Sequence, residues 1–125
     1  AEAHAKIFEL LGLEMDLYRP PYGEYNDVVL DAAESLNYYT IQWDIDSLDW
    51  KREGVETIVN RVVGHKKLQN GSILLFHNDL PHTPEALKII LNNLQGRGYS
   101  FVPVSELILR KDFSIDHTGR QRIAN

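Results

Sequence analysis

The sequence predicts an α/β domain built from parallel βα units. Short extended segments, rich in aromatic and β-branched residues, alternate with helical segments at a repeat of roughly 27 residues, which suits a parallel βα unit. Residues 72–76 form a near-continuous apolar run, as expected of a strand that is buried on both faces of its sheet. These observations favour parallel strands joined by helical crossovers.

The first part of the chain contains two predicted helices and two predicted strands. Apolar residues at helical spacing stop at Gly12, which predicts a glycine cap for the first helix. The prolines behind Arg19 keep the next segment extended. Asn26 carries a side chain suited to an N-cap, so the second helix is predicted to begin there. The elements are a helix over 3–11, a strand over 15–18, a helix over 26–37 and a strand over 38–43.

The second part continues the alternation. Valine and isoleucine recur at helical spacing over residues 55–63, and Asn70 and Gly71 mark the following turn. Thr83 is predicted to cap the next helix and Pro84 to open it. The elements are a helix over 55–63, a strand over 72–76, a helix over 83–95, a strand over 99–104, a short helix capped by Ser105, and a polar tail over 110–125. Within that tail, residues 115–119 could instead pack against the domain.

Composition narrows the class of function. The 125 residues carry a formal charge of -5 and no long basic stretch, which argues against a nucleic-acid partner. The absence of cysteine excludes disulfides and thiolate metal sites. The sequence has no apolar run of membrane-spanning length and no signal peptide. Because it opens at Ala1 without an initiator Met, we expect it to begin inside a longer polypeptide.

Three polar or rigid blocks each follow a predicted strand. They occupy residues 19–23, 43–50 and 74–79. The carboxyl ends of parallel strands share one rim of a sheet or barrel, where ligand sites lie. We therefore expect the three blocks to converge.

His77 stands where a buried strand ends, next to Asn78 and Asp79. An imidazole beside a carboxylate can act as a general acid near neutral pH. The alternative is a structural histidine that bonds a loop carbonyl. Position alone leaves both interpretations open.

Three carboxylates lie within six residues between two tryptophans. Asp44, Asp46 and Asp49, with Trp43 and Trp50, predict a polar site with aromatic walls suited to sugar faces. The alternative is a capped turn, because aspartate often bonds the local backbone. Trp43 is expected to belong to the core.

Arg19 precedes two prolines, Tyr22 and Gly23. The prolines stiffen the loop and Gly23 permits an unusual turn, so the backbone could aim an N–H at a developing oxyanion. The alternative is a stiff connection whose arginine pairs with a carboxylate.

No metal site is predicted within the chain. His77, His82 and Asp79 lie in an irregular loop containing a proline, and their spacing matches no metal-binding pattern.

The blocks also resemble known motifs. R-P-P-Y-G at 19–23, D-S-L-D-W at 46–50 and L-F-H at 75–77 are similar to motifs three, four and five of the NodB-type polysaccharide deacetylases, carbohydrate esterase family 4. The segments at 83–87 and 101–107 look like those of the sporulation-associated branch in Gram-positive bacteria.

This resemblance covers nearly the whole chain. It implies that residues 1–109 are the C-terminal part of an irregular (β/α) deacetylase barrel, a partial NodB homology domain, and that 110–125 form a C-terminal tail.

The resemblance also implies an activity. Members of the family are metal-dependent hydrolases that remove acetyl groups from N-acetylglucosamine units of peptidoglycan, chitin and related polymers. His77 would be the general acid that protonates the leaving amine, and Asp49 would tune it. Arg19 would hold the family's catalytic aspartate, and the Tyr22 N–H would help to bind the oxyanion. The residues implied on the substrate side are Trp50 as a groove wall, Leu75 in the acetate-methyl pocket, Pro21 and Asp46.

Two family motifs do not occur in the sequence. The T-F-D-D block supplies the base and a metal-binding aspartate, and the H-x-x-x-H block supplies two histidine ligands. A divalent ion, zinc or a similar metal, is therefore implied for the complete domain but has no ligands here. We expect the 125 residues alone to be inactive, because they cannot hold a metal-activated water.

The resemblance implies a polysaccharide substrate and an extracellular location in the cell wall or spore envelope. The other expected partner is the N-terminal part of the domain, or a second copy that covers the open sheet edge. A non-catalytic glycan-binding or regulatory remnant is the alternative function. An unrelated small α/β domain with an open four-stranded sheet is a third.

Overall fold

The computed structural model describes residues 2–11, 15–20 and 23–123. Ala1–Trp43 and Asp44–Asn125 form two compact units. The first contains helix α1 (Glu2–Leu11), strand β1 (Leu17–Tyr18), helix α2 (Asp27–Ser35) and strand β2 (Tyr39–Thr40). The second contains strand β3 (Ile45–Asp46), a 3-10 helix (Asp49–Lys51), helix α3 (Val55–Val63), strand β4 (Leu74–Leu75), helix α4 (Thr83–Gly96), helix α5 (Val104–Leu107) and strands β5 (Phe113–Ile115) and β6 (Gln121–Ile123).

The first unit contains a βαβ motif that follows α1. β1 and β2 are parallel, with Leu17 opposite Tyr39, and α2 is the crossover between them. The Asn26 side chain accepts a hydrogen bond from the Val29 N–H at 3.0 Å, so the predicted N-cap is confirmed. The predicted cap Gly12 lies outside the described residues.

Gly23 makes the turn that the sequence predicts. Its φ is +71°, and its N–H donates to the Pro20 carbonyl at 3.0 Å. An added Cβ would lie 2.5 Å from the Trp43 ring, so the close packing here also requires glycine. Trp43 itself is half-buried rather than fully enclosed in a core.

The second unit contains the main core. β3 and β4 are parallel, with Ile45 opposite Leu74, and α3 is the crossover between them. The predicted parallel βα units are therefore confirmed in both units. Helices α3 and α4 pack together, and each fully buried aliphatic side chain contributes about 1.5–3 kcal/mol. The buried cluster consists of Ile45, Ile58, Val59, Val62, Ala86, Ile90 and Leu94.

Several predicted boundaries are wrong. The strands predicted over 15–18 and 72–76 are only Leu17–Tyr18 and Leu74–Leu75. The strand predicted over 38–43 is only Tyr39–Thr40, and β3 begins inside the block that we interpreted as a loop. The helix α4 has His82 as its N-cap, and Thr83 is its first residue. The N-cap of α5 is Pro103 rather than Ser105.

The strand predicted over 99–104 is also wrong. Within the described part of the chain, residues 99–103 form no strand. Pro103 has no N–H to donate to a ladder, and the neighbouring side chains of Phe101 and Val102 are both exposed, without the alternation of a paired strand. This segment instead lines an apolar cleft together with residues of β4 and α4.

The polar C-terminal segment contains a hairpin. β5 and β6 are antiparallel, with Phe113 opposite Ile123. The Gln121 side chain bonds the backbone of Leu109 in both directions, at 2.7 and 2.8 Å. Arg120 donates to Asp44 at 2.7 Å and so ties the hairpin to the start of β3. The division at residue 109 into domain and tail stays a prediction.

Candidate active site

The loop after β3 is held in an unusual conformation. Leu48 and Arg52, on either side of the 3-10 helix, both have positive φ angles, 53° and 56°. Arg61 on α3 donates to the Ser47 carbonyl at 3.0 Å and also pairs with Glu53. Bonds to both ends of the loop let the packed helix α3 stabilise this strained backbone.

Asp49 is the buried centre of the site. Its side chain has no exposed surface and accepts three hydrogen bonds. The His77 N–H donates to Oδ2 at 2.8 Å, and the Thr83 hydroxyl donates to the same oxygen at 2.7 Å. The His77 ring Nδ1 lies 2.7 Å from Oδ1. The carboxylate therefore joins the loop after β3, the loop after β4 and the start of α4.

These bonds keep Asp49 ionised. Burial by itself would raise the pKa of Asp49, but the His77 N–H, the Thr83 hydroxyl and the His77 ring outweigh that effect and lower the pKa below 3.8. An ionised carboxylate can only accept hydrogen bonds, so Nδ1 of His77 must carry the proton that it shares with Oδ1. In the neutral ring, Nε2 then keeps its lone pair.

His77 combines a fixed side with an open side. The ring follows β4 directly, and 42% of its side-chain surface is exposed, in contrast to the buried carboxylate. An imidazole that is oriented by a buried carboxylate and reaches solvent can take up and release a proton at Nε2. The arrangement is that of a general acid or base.

The three aspartates have three different roles. Only Asp49 contacts His77. Asp44 accepts from Arg120 and from the Ile73 N–H at 2.9 Å, which is a structural role. Asp46 accepts from the Leu48 N–H at 2.9 Å, as in a local turn. The observed contact of Asp46 is that of a capped turn, and the observed contact of Asp49 is with His77. The predicted roles of both aspartates stay predictions.

The remaining predicted site residues are placed as follows. Trp50 is 52% exposed beside the buried Asp49, and the ammonium group of Lys51 lies 5.7 Å from its ring centroid. Leu75 is buried in β4. Arg19 lies in the first unit, directly after β1, and is exposed. Pro21 and Tyr22 lie outside the described residues, so their predicted roles, like that of Arg19, stay predictions.

Sequence reasoning missed two contacts. The sequence predicts that Thr83 caps a helix, but its hydroxyl bonds Asp49. It predicts that Arg120 lies in a tail, but this side chain bonds Asp44. No local pattern signals the first contact, because 34 residues separate its partners. No local pattern signals the second, because 76 residues separate its partners.

The described residues do not fit a metal centre. Among residues 2–11, 15–20 and 23–123, no three His, Cys, Asp or Glu side chains are grouped to hold an ion. Both oxygens of Asp49 and Nδ1 of His77 are engaged with each other or with Thr83. In the same ranges, no helix has the length and apolar character needed to cross a bilayer.

Known proteins share this sequence and fold. No protein-family model matches the chain. A peptidoglycan-N-acetylglucosamine deacetylase of Bacillus cereus is 44% identical over 111 residues, which are 85% of this chain and 51% of that protein. The solved structure of the peptidoglycan N-acetylglucosamine deacetylase Bc1960 matches 85% of this chain with a TM-score of 0.78 and 30% identity. This chain belongs to carbohydrate esterase family 4.

Membership of carbohydrate esterase family 4 confirms the predicted family and the predicted fold, part of a (β/α) deacetylase barrel. The chain spans about half the length of the Bacillus cereus relative and 50% of the Bc1960 chain. BA3943 of Bacillus anthracis, a family pseudoenzyme, also matches 85% of this chain and 37% of its own, with a TM-score of 0.76 and 29% identity. Family 4 therefore contains both active and inactive proteins with this fold. The sporulation-associated branch stays a prediction.

Proposed function

We propose that the chain supplies the acid side of a hydrolase that removes N-acetyl groups from N-acetylglucosamine units of cell-wall peptidoglycan. The observation that carries the proposal is the contact of the exposed His77 ring with the buried Asp49 at 2.7 Å. The 44% identity to a peptidoglycan deacetylase supports the reaction and the substrate. Chitin-like polymers and spore peptidoglycan are further substrates of the same chemistry.

His77 is placed to protonate the leaving amine, which is the main chemical requirement of amide hydrolysis. Water adds to the acyl carbon and the C–N bond breaks, which releases acetate, but the amine leaves only when its nitrogen gains a proton. Protonated His77 delivers that proton from Nε2, while Oδ1 of Asp49 accepts the proton on Nδ1 and holds the ring in place. A positioned general acid of this kind is worth about 10²–10⁴-fold in rate.

The catalytic base and the ligands of the metal belong to residues outside this chain. We propose zinc or a similar divalent ion in the complete domain, bound by the aspartate and histidines of the two motifs that this sequence lacks. The partner is then the N-terminal part of such a domain, or a second copy against the β4 edge. The location is extracellular, in the cell wall or the spore envelope.

The other site residues complete the proposal. Arg19 orients the catalytic aspartate of the complete domain, and the Tyr22 N–H binds the oxyanion. The exposed ring of Trp50 walls the glycan groove. The residues proposed to line the rest of the substrate site are Leu75, Pro21 and Asp46.

A chimera tests the acid role. Residues 1–125 replace the matching segment of the Bacillus cereus relative, and acetate release from chitooligosaccharide is measured with added divalent metal. His77→Gln should lower kcat by about 10²–10⁴-fold. His117→Gln, the same change at an exposed histidine of the hairpin, should leave kcat unchanged. A folded chimera that loses nothing on His77→Gln would refute the acid role.

The 125 residues alone should release no acetate above the blank under the same conditions. Measurable metal-dependent deacetylation by the pure chain would contradict the proposed need for ligands and base from elsewhere.

A non-catalytic glycan-binding function is the second candidate. It is favoured by the 52% exposure of Trp50, since exposed aromatic rings are suited to stack on sugar faces. Titration of chitooligosaccharide against the chain and its Trp50→Ala variant discriminates the two. Binding that is lost in the variant, without catalysis in the chimera, favours this candidate, whereas catalysis in the chimera favours the hydrolase.

A further inference from the structure

Two donors share one oxygen of the buried carboxylate. Oδ2 of Asp49 accepts from the His77 N–H and from the Thr83 hydroxyl, at 2.8 and 2.7 Å. Oδ1 is thereby left to the His77 ring. The side-chain torsion of an aspartate carboxylate is broad, so its plane is set by the donors around it rather than by its own preference.

The two donors to Oδ2 differ in rigidity. The His77 N–H belongs to an exposed loop, whose next two residues are also exposed. Thr83 is 7% exposed and begins α4, the helix that buries Ala86, Ile90 and Leu94 in the core. A branched side chain on a packed helix has few rotamers open to it. The threonine hydroxyl is therefore the fixed reference for the carboxylate plane.

The Thr83 hydroxyl does not cap the end of its own helix, although its position at the start of α4 would suggest that role. A threonine at the start of a helix ordinarily caps the backbone, but His82 is the N-cap of α4, and the Thr83 hydroxyl bonds a carboxylate 34 residues earlier in the chain. Its bond therefore orders the site rather than the helix end.

We propose that Thr83 is a positioning residue, which fixes the carboxylate plane of Asp49 so that Oδ1 holds the proton of His77 on Nδ1 and leaves Nε2 free for the substrate. This role rests on the proposed function, since it acts through His77 as the general acid. Without the hydroxyl, the carboxylate rotates, the Nδ1–H tautomer loses its acceptor, and Nε2 is protonated in the neutral ring.

The tautomer of His77 can be measured in the 125-residue chain without any activity. Long-range ¹H–¹⁵N spectra of histidine-labelled protein, recorded at a pH where the ring is neutral, distinguish the two tautomers, and His77→Gln assigns the signals. Two matched pairs isolate the hydroxyl. Thr83→Val replaces it by a methyl group of similar size, whereas Thr83→Ser and Thr83→Ala differ from each other in the hydroxyl alone.

We expect Nδ1–H in the wild type and in Thr83→Ser, and a roughly tenfold change in the tautomer ratio toward Nε2–H in the Val and Ala variants, the size that one bond to a charged group supports. An unchanged tautomer in folded Val or Ala variants would overturn the proposal, as would an equal change in the Ser variant. If the Val variant does not fold, the Ser–Ala pair decides.

The chimera provides the catalytic readout. In the chimera, Thr83→Val should lower kcat by roughly tenfold with little change in KM, which is part of the rate factor that a positioned general acid supplies. Thr83→Ser, which keeps the hydroxyl, should retain most of the wild-type kcat. A change in KM alone would overturn the positioning role. An unaffected His77→Gln chimera together with a shifted tautomer would instead refute the proposed function and leave the geometric role of Thr83 intact.

Discussion

Replacing Asp49 by Asn is the most direct test of what holds the site together. The carboxylate accepts three hydrogen bonds with no exposed side-chain surface, so solvent screens none of them. Bonds to a charged group contribute about 1.5–3 kcal/mol each, and bonds to a neutral group about 0.5–1.5 kcal/mol. The amide can keep the two donors on one oxygen but presents an NH₂ group to the His77 ring.

The expected loss in the free energy of unfolding is about 2–3 kcal/mol, after the smaller cost of burying a neutral amide is allowed for. Urea unfolding followed by tryptophan fluorescence measures it. Asp79→Asn is the matched control, because that carboxylate is exposed and its positive φ of 57° suits asparagine. The control should stay within about 0.5 kcal/mol of the wild type. An Asp49→Asn variant as stable as this control would refute the reasoning.

The same variant carries a pH signature. The pKa of Asp49 is lowered in the folded state, so its stabilisation is complete above the unfolded value of 3.8 and is lost as the pH falls through the lower folded value. The difference in unfolding free energy between wild type and Asp49→Asn should therefore be constant from about pH 5 upward and shrink below pH 3.8. A difference that grows on acidification would contradict the assignment of Asp49 as ionised.

Two further substitutions test the frame around the site. Gly23→Ala should destabilise the first unit by about 2–3 kcal/mol, because the added Cβ would lie 2.5 Å from the Trp43 ring and the backbone has a φ of +71°. Thermal unfolding followed by near-UV circular dichroism measures this change, and an unchanged melting temperature would contradict that packing. Arg120→Met should cost about 1–2 kcal/mol, because it removes the cationic partner of Asp44, whose side chain is 22% exposed. Arg122→Met, at a side chain that is 59% exposed, should cost under about 0.5 kcal/mol. Equal effects of the two arginine changes would show that the hairpin is not held through Arg120.

The parallel βα units could be predicted because their signals are local. Periodic apolar residues and the Asn26 cap determine where a helix begins and which face it buries, and the structure confirms both βαβ motifs. The pairing of Asp49 with His77 followed from the family resemblance, and the structure places the two side chains in contact. The local sequence around Asp49 does not by itself predict a contact with His77, which lies 28 residues away.

The errors arose where contacts distant in sequence decide the structure. Residues 99–103 are rich in strand-forming side chains, but Pro103 and the absence of a paired neighbour leave them outside the sheets of the described chain. The hairpin at the C-terminus is polar, and it is stabilised by Gln121 and Arg120 rather than by an apolar face. Its polar composition predicts a tail, and the division of the chain at residue 109 stays a prediction.

The shared carboxylate also has a consequence for local opening. Because Asp49 is bonded to both His77 and Thr83, fraying of the first turn of α4 and disorder of the His77 loop must break the same acceptor site. We therefore expect the two regions to open together, with the backbone N–H of His77 and that of Ala86 exchanging with solvent deuterium at a common free energy. We expect the His77 ring to be ordered only while the start of α4 is ordered, and Thr83→Val to let the two amides exchange independently.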